Sequence, residues 1–302
     1  MKNLMKYNFL YFVFSLIIIL PGLFYLAKFG LRLGIDFTGG ALIEYELSSD
    51  SSNSKPEKNI EELKKVIIED GVEINSITSS GNNTYIVRTK PLEQEKLNNL
   101  KQLISQKFGK VEERRVENVG PVIGAELSKK AFYALLLSSG AIVSYIAYSF
   151  RKIPKPTSSF RFGIAAVVAL IHDVLVVVGV FAILGKFLYV EVDVLFVTAL
   201  LTIIGFSVHD TIVVFDRIRE NLLKGANRKF IDVANLSVVQ TLGRSLNTSL
   251  TVVFVLTALL LFGGETIKWF VVALLIGIIS GTYSSIFNAT ALLVFWEERL
   301  GH

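Results

Sequence analysis

The apolar residues of this chain gather into six blocks, at about 9–27, 131–150, 163–185, 192–215, 246–262 and 269–296. Each approaches the roughly 20 residues an α-helix needs to cross a hydrocarbon core about 30 Å thick. The fifth is the shortest, unless its helix begins in the polar run from Ser237. The first is too long for a secretory leader and lacks a small-residue cleavage site, so it reads as a retained helix. Between the first two blocks lies different material, polar and charged. GALIEYEL alternates as a strand does. KNIEELKKVIIEDG sets Ile60, Leu63, Val66 and Ile67 on one helical face and stops at Gly71. VEINSITSSG and NNTYIVRTK predict two strands joined across SSGNN as a hairpin. LEQEKLNNLKQLISQKFG predicts a second amphipathic helix ending at Gly109, and KVEERRVENVG a last strand. The serine-rich SSDSSNSKPEKN predicts a surface loop.

The order β-α-β-β-α-β suggests a small ferredoxin-like module. The expected fold class is therefore a polytopic α-helical membrane protein with six transmembrane helices and one small α+β extracytoplasmic domain. Residues 1–29 hold the N-terminus and the first span, 30–128 the α+β domain, and 129–302 the remaining five spans. The segment RIRENLLKGANRKFIDVANLSVVQTL, between spans four and five, predicts a helix lying at the membrane interface.

Composition agrees with this layout. The chain is 52% hydrophobic, with a mean hydropathy of +0.53, too apolar for an ordinary soluble protein. It has no cysteine, which excludes disulfides, thiolate metal sites and cysteine nucleophiles. The net charge of +5 would suggest nucleic acid in a soluble protein, but the placement of the cations explains it better. Six spans put both termini on one side. That side carries 13 cations: Lys2, Lys6, Arg151, Lys152, Lys155, Arg161, Arg217, Arg219, Lys224, Arg228, Lys229, Arg244 and Arg299. The two short opposite loops carry only Lys186 and Lys268. The basic side is then cytoplasmic, the 30–128 domain lies outside, and no nucleic-acid partner is implied.

Candidate chemistry sits in the membrane. ALIHDVLVVVG at 169–179 and FSVHDTIVVFD at 206–216 each place a His-Asp pair in an apolar segment: His172 with Asp173, and His209 with Asp210. An ionisable side chain in a spanning helix costs about 2.5–3.5 kcal/mol on insertion scales. Asp173 lies roughly 18 Å along its helix from Arg161, near mid-membrane, and Asp210 roughly 10 Å from Arg217. Aspartate is too short to snorkel over such distances, so both must face protein or water. In the fifth span Gln240, Arg244, Asn247, Thr248 and Thr251 fall at spacings of three and four, which predicts one polar face. Arg244 on that face is expected to approach Asp210 and to set its ionisation against the effect of burial. Buried Asp-Arg pairs also serve as packing and registry devices, and each histidine also suits a plain hydrogen-bonding role at a helix contact. Asp193 and Asp216 read as boundary residues. Three histidines, one of them the terminal His302, are too few for a metal site. No phosphate loop, Ser-His-Asp order or paired carboxylates stand out, so neither an enzyme nor a cofactor is expected. Small residues in the last span, Gly277, Ser280, Gly281, Ser284, Ser285 and Asn288, predict close helix packing.

Several long motifs in order give the chain a family resemblance over nearly its whole length. They are LGIDFTGG at 33–40, ENVGPVIGAEL at 117–127, ALIHDV, VHDTIVVFDRIREN, QTLGRSLNTSLT and LFGG. In these the chain resembles the SecF members of the SecD/SecF family, within the proton-driven resistance-nodulation-division (RND) superfamily. The resemblance implies a six-span half that pairs with a separate SecD half around a pseudo-twofold axis. It implies that proton flow moves the extracytoplasmic domains. These would pull preproteins outward after SecA has pushed them through SecYEG. The family's proton-site aspartate maps to Asp210 and its arginine to Arg244. Related sequences often have Asn before this aspartate, where this chain has His209. Asp36, Gly39 and Gly40 of DFTGG fit either a hinge between membrane and domain or a tight structural turn. Sodium is the other candidate coupling ion, because a carboxylate amid Thr, Ser and Asn also suits it. Two other readings remain open: a small-molecule efflux subunit of the same superfamily, and a translocon scaffold without ion flux.

Overall fold

A computed structural model describes residues 4–47, 56–79, 83–151, 153, 157–224 and 228–300, apart from the side chains of 56–58, 299 and 300. Lys2, Lys152, Lys155 and His302, most of the serine-rich loop and the centre of the SSGNN turn lie outside the described residues. The chain forms two compact units, one of residues 33–132 and one of residues 1–32 with 133–302.

In the smaller unit a four-residue helix, α2 (Ile35–Thr38), leads into β1 (Gly40–Leu47). Then follow α3 (Pro56–Glu69), β2 (Ile74–Ser79), β3 (Thr84–Thr89), α4 (Gln94–Phe108) and β4 (Val111–Val119). The sheet order is β2-β3-β1-β4, antiparallel throughout. This is the expected β-α-β-β-α-β module. The alternating positions Ala41, Ile43, Tyr45 and Leu47 of β1 point to one face. There they meet Leu63 and Ile67 of α3 and Leu97, Leu100 and Ile104 of α4 in one core. That burial fixes the register, because a one-residue slip would turn this whole set to the other face.

The motifs DFTGG and VGPVIG meet at the start of the sheet. Gly39 and Gly40 have φ of 74° and 143°. A Cβ on Gly39 would lie 2.9 Å from Pro121 Cα, and one on Gly124 2.9 Å from Gly39 N. A side chain at either place would strike backbone, so close approach requires both glycines, and Gly39 is required by its dihedral angle as well.

In the larger unit all six expected spans are present, as helices over Leu4–Phe29, Pro121–Ser149, Ser159–Phe187, Val194–Lys224, Phe230–Phe262 and Glu265–Glu298. In chain order they are α1 (Asn8–Phe29, after one 3-10 turn), α5 (Pro121–Ser149), α6 (Ser159–Phe187), α7 (Val194–Lys224) and α8 (Phe230–Phe262). The last span comprises α9 (Glu265–Tyr283), a π-helical turn at Ser284–Asn288 and α10 (Ala289–Leu300). The helix α5 starts ten residues before the apolar block, so the change from polar to apolar sequence falls inside a continuous helix. The interfacial helix expected over 217–242 is not formed. The segment is instead the end of α7 and the start of α8. The reason is packing: Ile218, Val233, Ala234 and Val238 are fully buried in the bundle core and are not laid on a surface.

The helices α6, α7 and α9 form the inside of this unit, while α1, α5 and α8 bury little of their surface. Lipid is as apolar as these side chains, so close packing and interhelical hydrogen bonds drive association. Both devices are visible. A Cβ on Gly22 of α1 would stand 2.7 Å from Gly179 Cα of α6, so these backbones touch. The rings of Phe150, Phe162 and Phe215, packed tilted and edge-to-face, fill the core at one end, and Phe181 against Phe196, with ring centroids 4.5 Å apart, at the other. Asp193 accepts from the Phe196 amide at 2.8 Å at the start of α7. Asp216 pairs with Arg219. Both behave as boundary residues.

Candidate ion-coupling site

Two aspartates stand inside the bundle, Asp173 on α6 at 1% exposure and Asp210 on α7 at 2%. Each is met by hydroxyl groups. The Ser207 hydroxyl donates to Asp173 Oδ2, and Ser280 Oγ lies 3.5 Å from Oδ1. His172 Nδ1 is 3.0 Å from Oδ1. On its other side His172 Nε2 lies 3.3 Å from the Asn288 amide nitrogen, which also donates to Ser15 of α1 at 2.6 Å. The imidazole is thus held between the Asp173 carboxylate and the Asn288 amide.

From Ser207 the polar chain continues. Ser285 donates to the Ser207 carbonyl at 2.9 Å and accepts from Thr211 at 2.9 Å. Thr211 follows Asp210 on α7. The Asp210 carboxylate accepts from Ser249 of α8 at 3.5 Å, and Ser249 shares a 2.6 Å contact with Thr282 of α9. Ser245, one turn before Ser249, also faces this carboxylate. Its buried hydroxyl has no hydrogen-bond partner among the described residues. Gly281 admits this arrangement, since a Cβ there would already lie 3.4 Å from Asp173 Oδ2 and 3.2 Å from Ser207 Cβ.

The π-helical turn holds Ser285 and Asn288 in the network. A π turn inserts an extra residue into the helix and changes which side chains face inward, and such turns recur at functional sites. Nothing in the sequence signalled it. Sequence reading also passed over Ser207, Thr211, Ser245, Ser249 and Thr282. Neutral hydroxyls are common in membrane helices, so they attract no attention until a carboxylate is found beside them.

The structure corrects the expected partner of Asp210. Arg244 is exposed on α8 and does not turn toward Asp210; Gln240, Asn247, Thr248 and Thr251 are exposed with it. The inward strip of α8 is Ser237, Thr241, Ser245 and Ser249, all buried. The two strips run side by side, one residue apart. Packing against α7 selects the small hydroxyl strip because it lets the helices come close. Gln240 hydrogen-bonds Arg217 at 2.7 Å and Asn221 at 2.9 Å near the end of α7. Thr248 and Thr251 bond back to the carbonyls of Arg244 and Asn247. His209 is exposed beside Asp210, in line with Thr198, Thr202 and Gly205. Among the described residues, neither Asp173 nor Asp210 forms an ion pair with lysine or arginine. Asp36, Gly39 and Gly40 belong to the 33–132 unit.

Comparison with known proteins points one way. The family model described as "Protein export membrane protein SecD/SecF, C-terminal" matches residues 99–299, and the "SecD/SecF GG Motif" matches 24–50. A protein translocase subunit SecF of Thermobaculum terrenum is 48% identical, over 99% of this chain and 95% of that protein. A protein translocase subunit SecDF of Bacillus subtilis is 35% identical, over 96% of this chain but 37% of its own length. The crystal structure of SecDF from Thermus thermophilus, a translocon-associated membrane protein, superposes with a TM-score of 0.84 at 33% identity. It covers 98% of this chain and 38% of that longer one.

Proposed function

Since the chain belongs to the SecD/SecF family, we propose that it is a SecF subunit of the protein-export machinery and pairs with a separate SecD half. Together they use an ion gradient to complete the passage of preproteins across the bacterial cytoplasmic membrane. The observation that carries this reading is the pair of carboxylates buried among hydroxyls with no lysine or arginine paired to them among the described residues. A bare charge in such surroundings is costly. A bound proton or small cation removes that cost, and its arrival and departure give the bundle two states. Intramembrane carboxylates are functional by default.

The outward strips of α7 and α8 support the pairing. Arg244, Asn247, Thr248 and His209 stand exposed beside the Asp210 contact, on helices long and apolar enough to cross a membrane. Lipid does not solvate an arginine or an amide at that depth, so a protein surface covers them. A second, SecD-like half fits there and brings a partner charge to Arg244. Arg244 then acts on Asp210 when the halves move, rather than in the separate chain. The longer SecDF relatives, of which this chain matches little more than a third, fit that division.

By the distribution of lysine and arginine, both termini are cytoplasmic and the α+β domain lies outside, where it meets preproteins leaving SecYEG after SecA has acted. The hydroxyls around Asp173 and Asp210 serve a proton or a sodium ion equally well. The test is preprotein release after ATP is exhausted, with the chain reconstituted beside SecD and the translocon. Asp210→Asn and wild type are compared at equal protein levels under imposed proton, then sodium, gradients. The reading requires gradient-driven release to be lost in the variant, and the effective gradient names the ion. Unchanged release would leave the chain a scaffold.

A further inference from the structure

The ends of α1 and α6 border a half-open pocket of about 300 Å³ that the ion-coupling reading does not use. Phe29, Gly30, Arg32, Ala182, Gly185, Lys186 and Tyr189 line it. We propose that this cavity binds the phosphate headgroup of an anionic phospholipid.

The site is basic and aromatic at the level where two spans end. Arg32 lies 5.1 Å from the Tyr189 ring and Lys186 Nζ 4.5 Å from the Phe29 ring. Lys28 stands over the other side of the same segment, 5.4 Å from Phe29. Two cations, Arg32 and Lys186, therefore line the cavity, with Lys28 close by on the neighbouring turn. Arg32 is paired with Glu191, whose Oε1 accepts from Arg32 Nε at 3.2 Å. Lys28 and Lys186 form no ion pair among the described residues.

Two simpler explanations cover part of this. Lysines near helix C-termini complement the helix dipole, and lysines at span ends snorkel toward water. Neither explanation accounts for Arg32, which is held in place. Its carbonyl accepts from the Val192 amide at 2.8 Å, and the Glu191 contact fixes the guanidinium by Nε. Among the described residues no other hydrogen bond engages the guanidinium, and its far edge suits the paired hydrogen bonds of a phosphate.

The backbone is also committed to this shape. Tyr189 has a φ of 57°, unusual for a residue with a bulky side chain, and such strain persists where the surroundings impose it. Gly30 has a φ of 69° and open space where its Cβ would stand, so a headgroup can approach the backbone closely. Gly185 sits where a Cβ would press within 3.2 Å of the Val190 carbonyl and 3.4 Å of Arg32 Cβ. Phe29, Phe187 and Tyr189, all exposed, surround the mouth with the aromatic character of a membrane interface.

The experiment uses the full chain purified in detergent. Native mass spectrometry follows lipid adducts during titration with dioleoylphosphatidylglycerol or dioleoylphosphatidylcholine, with inorganic phosphate as a competitor. We expect one phosphatidylglycerol to bind at least tenfold tighter than phosphatidylcholine. Lys186→Gln, at an exposed position where folding is not at stake, weakens it severalfold. Arg32→Gln abolishes the preference, and Arg32→Lys restores part of it. Lys268→Gln, in the other short loop, changes nothing. Equal binding of the two lipids overturns the proposal, as does a preference that survives both Lys186→Gln and Arg32→Gln. Displacement of the lipid by millimolar inorganic phosphate overturns the lipid assignment and makes this a free-phosphate site. None of these outcomes depends on ion coupling, so the proposal stands or falls apart from it.

Discussion

Gly39 and Gly71 have the same backbone conformation, each with a φ of 74°, but different surroundings. A Cβ on Gly71 meets nothing within 4 Å, whereas one on Gly39 lies 2.9 Å from Pro121 Cα, 3.1 Å from Pro121 N and 3.3 Å from the Val119 carbonyl. Gly71→Ala therefore carries only the cost of a left-handed L-residue, about 1–2 kcal/mol. Gly39→Ala carries that plus an overpacking cost of about 1–3 kcal/mol, because the obstructing atoms are backbone and cannot rotate away. Hydrogen exchange in the full chain reads the domain alone, at amides such as Ile43 and Tyr45 in the middle of β1. A difference of 1–3 kcal/mol between the variants makes exchange in Gly39→Ala roughly 5- to 150-fold faster than in Gly71→Ala. Equal exchange in the two variants would refute the claim that close approach to Pro121, and not φ alone, demands the glycine. A free hinge at Gly39 predicts the other pattern, with exchange in β1 unchanged and only domain mobility altered.

Further outcomes can be checked independently. Tyr45 is buried with its hydroxyl unpartnered among the described residues, and burial first, then Glu113, pushes its ionisation up. A raised folded value means stability is complete below about pH 10, the usual phenol range, and is lost as pH rises above it. Tyr45→Phe should leave the domain at least as stable at pH 7, by thermal melting, and remove that part of the alkaline loss. In the bundle, Gly179→Ala forces α1 off α6 because its Cβ would stand 2.8 Å from Gly22 Cα. It should destabilise the purified chain by about 1–3 kcal/mol. Gly205→Ala, with nothing within 4 Å, should not, as a detergent melt can compare. Ser249→Ala removes the α8 hydroxyl that reaches Asp210 and should slow gradient-driven release severalfold without lowering protein levels. Thr257→Ala, whose hydroxyl only bonds back to Val253, should leave release unchanged.

Much of the architecture is legible in the residues. The six apolar blocks mark six spans because a lipid core requires about 20 apolar residues each time. The small domain's element order follows from period-two and helical patterning, since a half-buried strand or helix must repeat its apolar positions. Both aspartates stand out because charge is rare in such segments. The two lengths misjudged, the start of α5 and the supposed interfacial helix, share a cause. Polar and apolar stretches can belong to one continuous helix when part of it leaves the lipid.

The face of α8 is the part that sequence could not decide. Gln240, Arg244, Asn247 and Thr251 form one helical strip, and Ser237, Thr241, Ser245 and Ser249 form another beside it. Both have the right spacing, and charge draws the eye to the first. Only the packing of α7, α8 and α9 determines that the small hydroxyls turn inward to Asp210 while Arg244 turns outward. The π turn at Ser284–Asn288, which brings Ser285 and Asn288 into line with Ser207 and His172, likewise has no local signal. The sequence by itself determined how many helices are long and apolar enough to cross a membrane, where along the chain the α+β domain falls and which carboxylates are out of place. Which groups surround those carboxylates was decided by tertiary structure, because periodicity defines the faces of a helix but only its neighbours select among them.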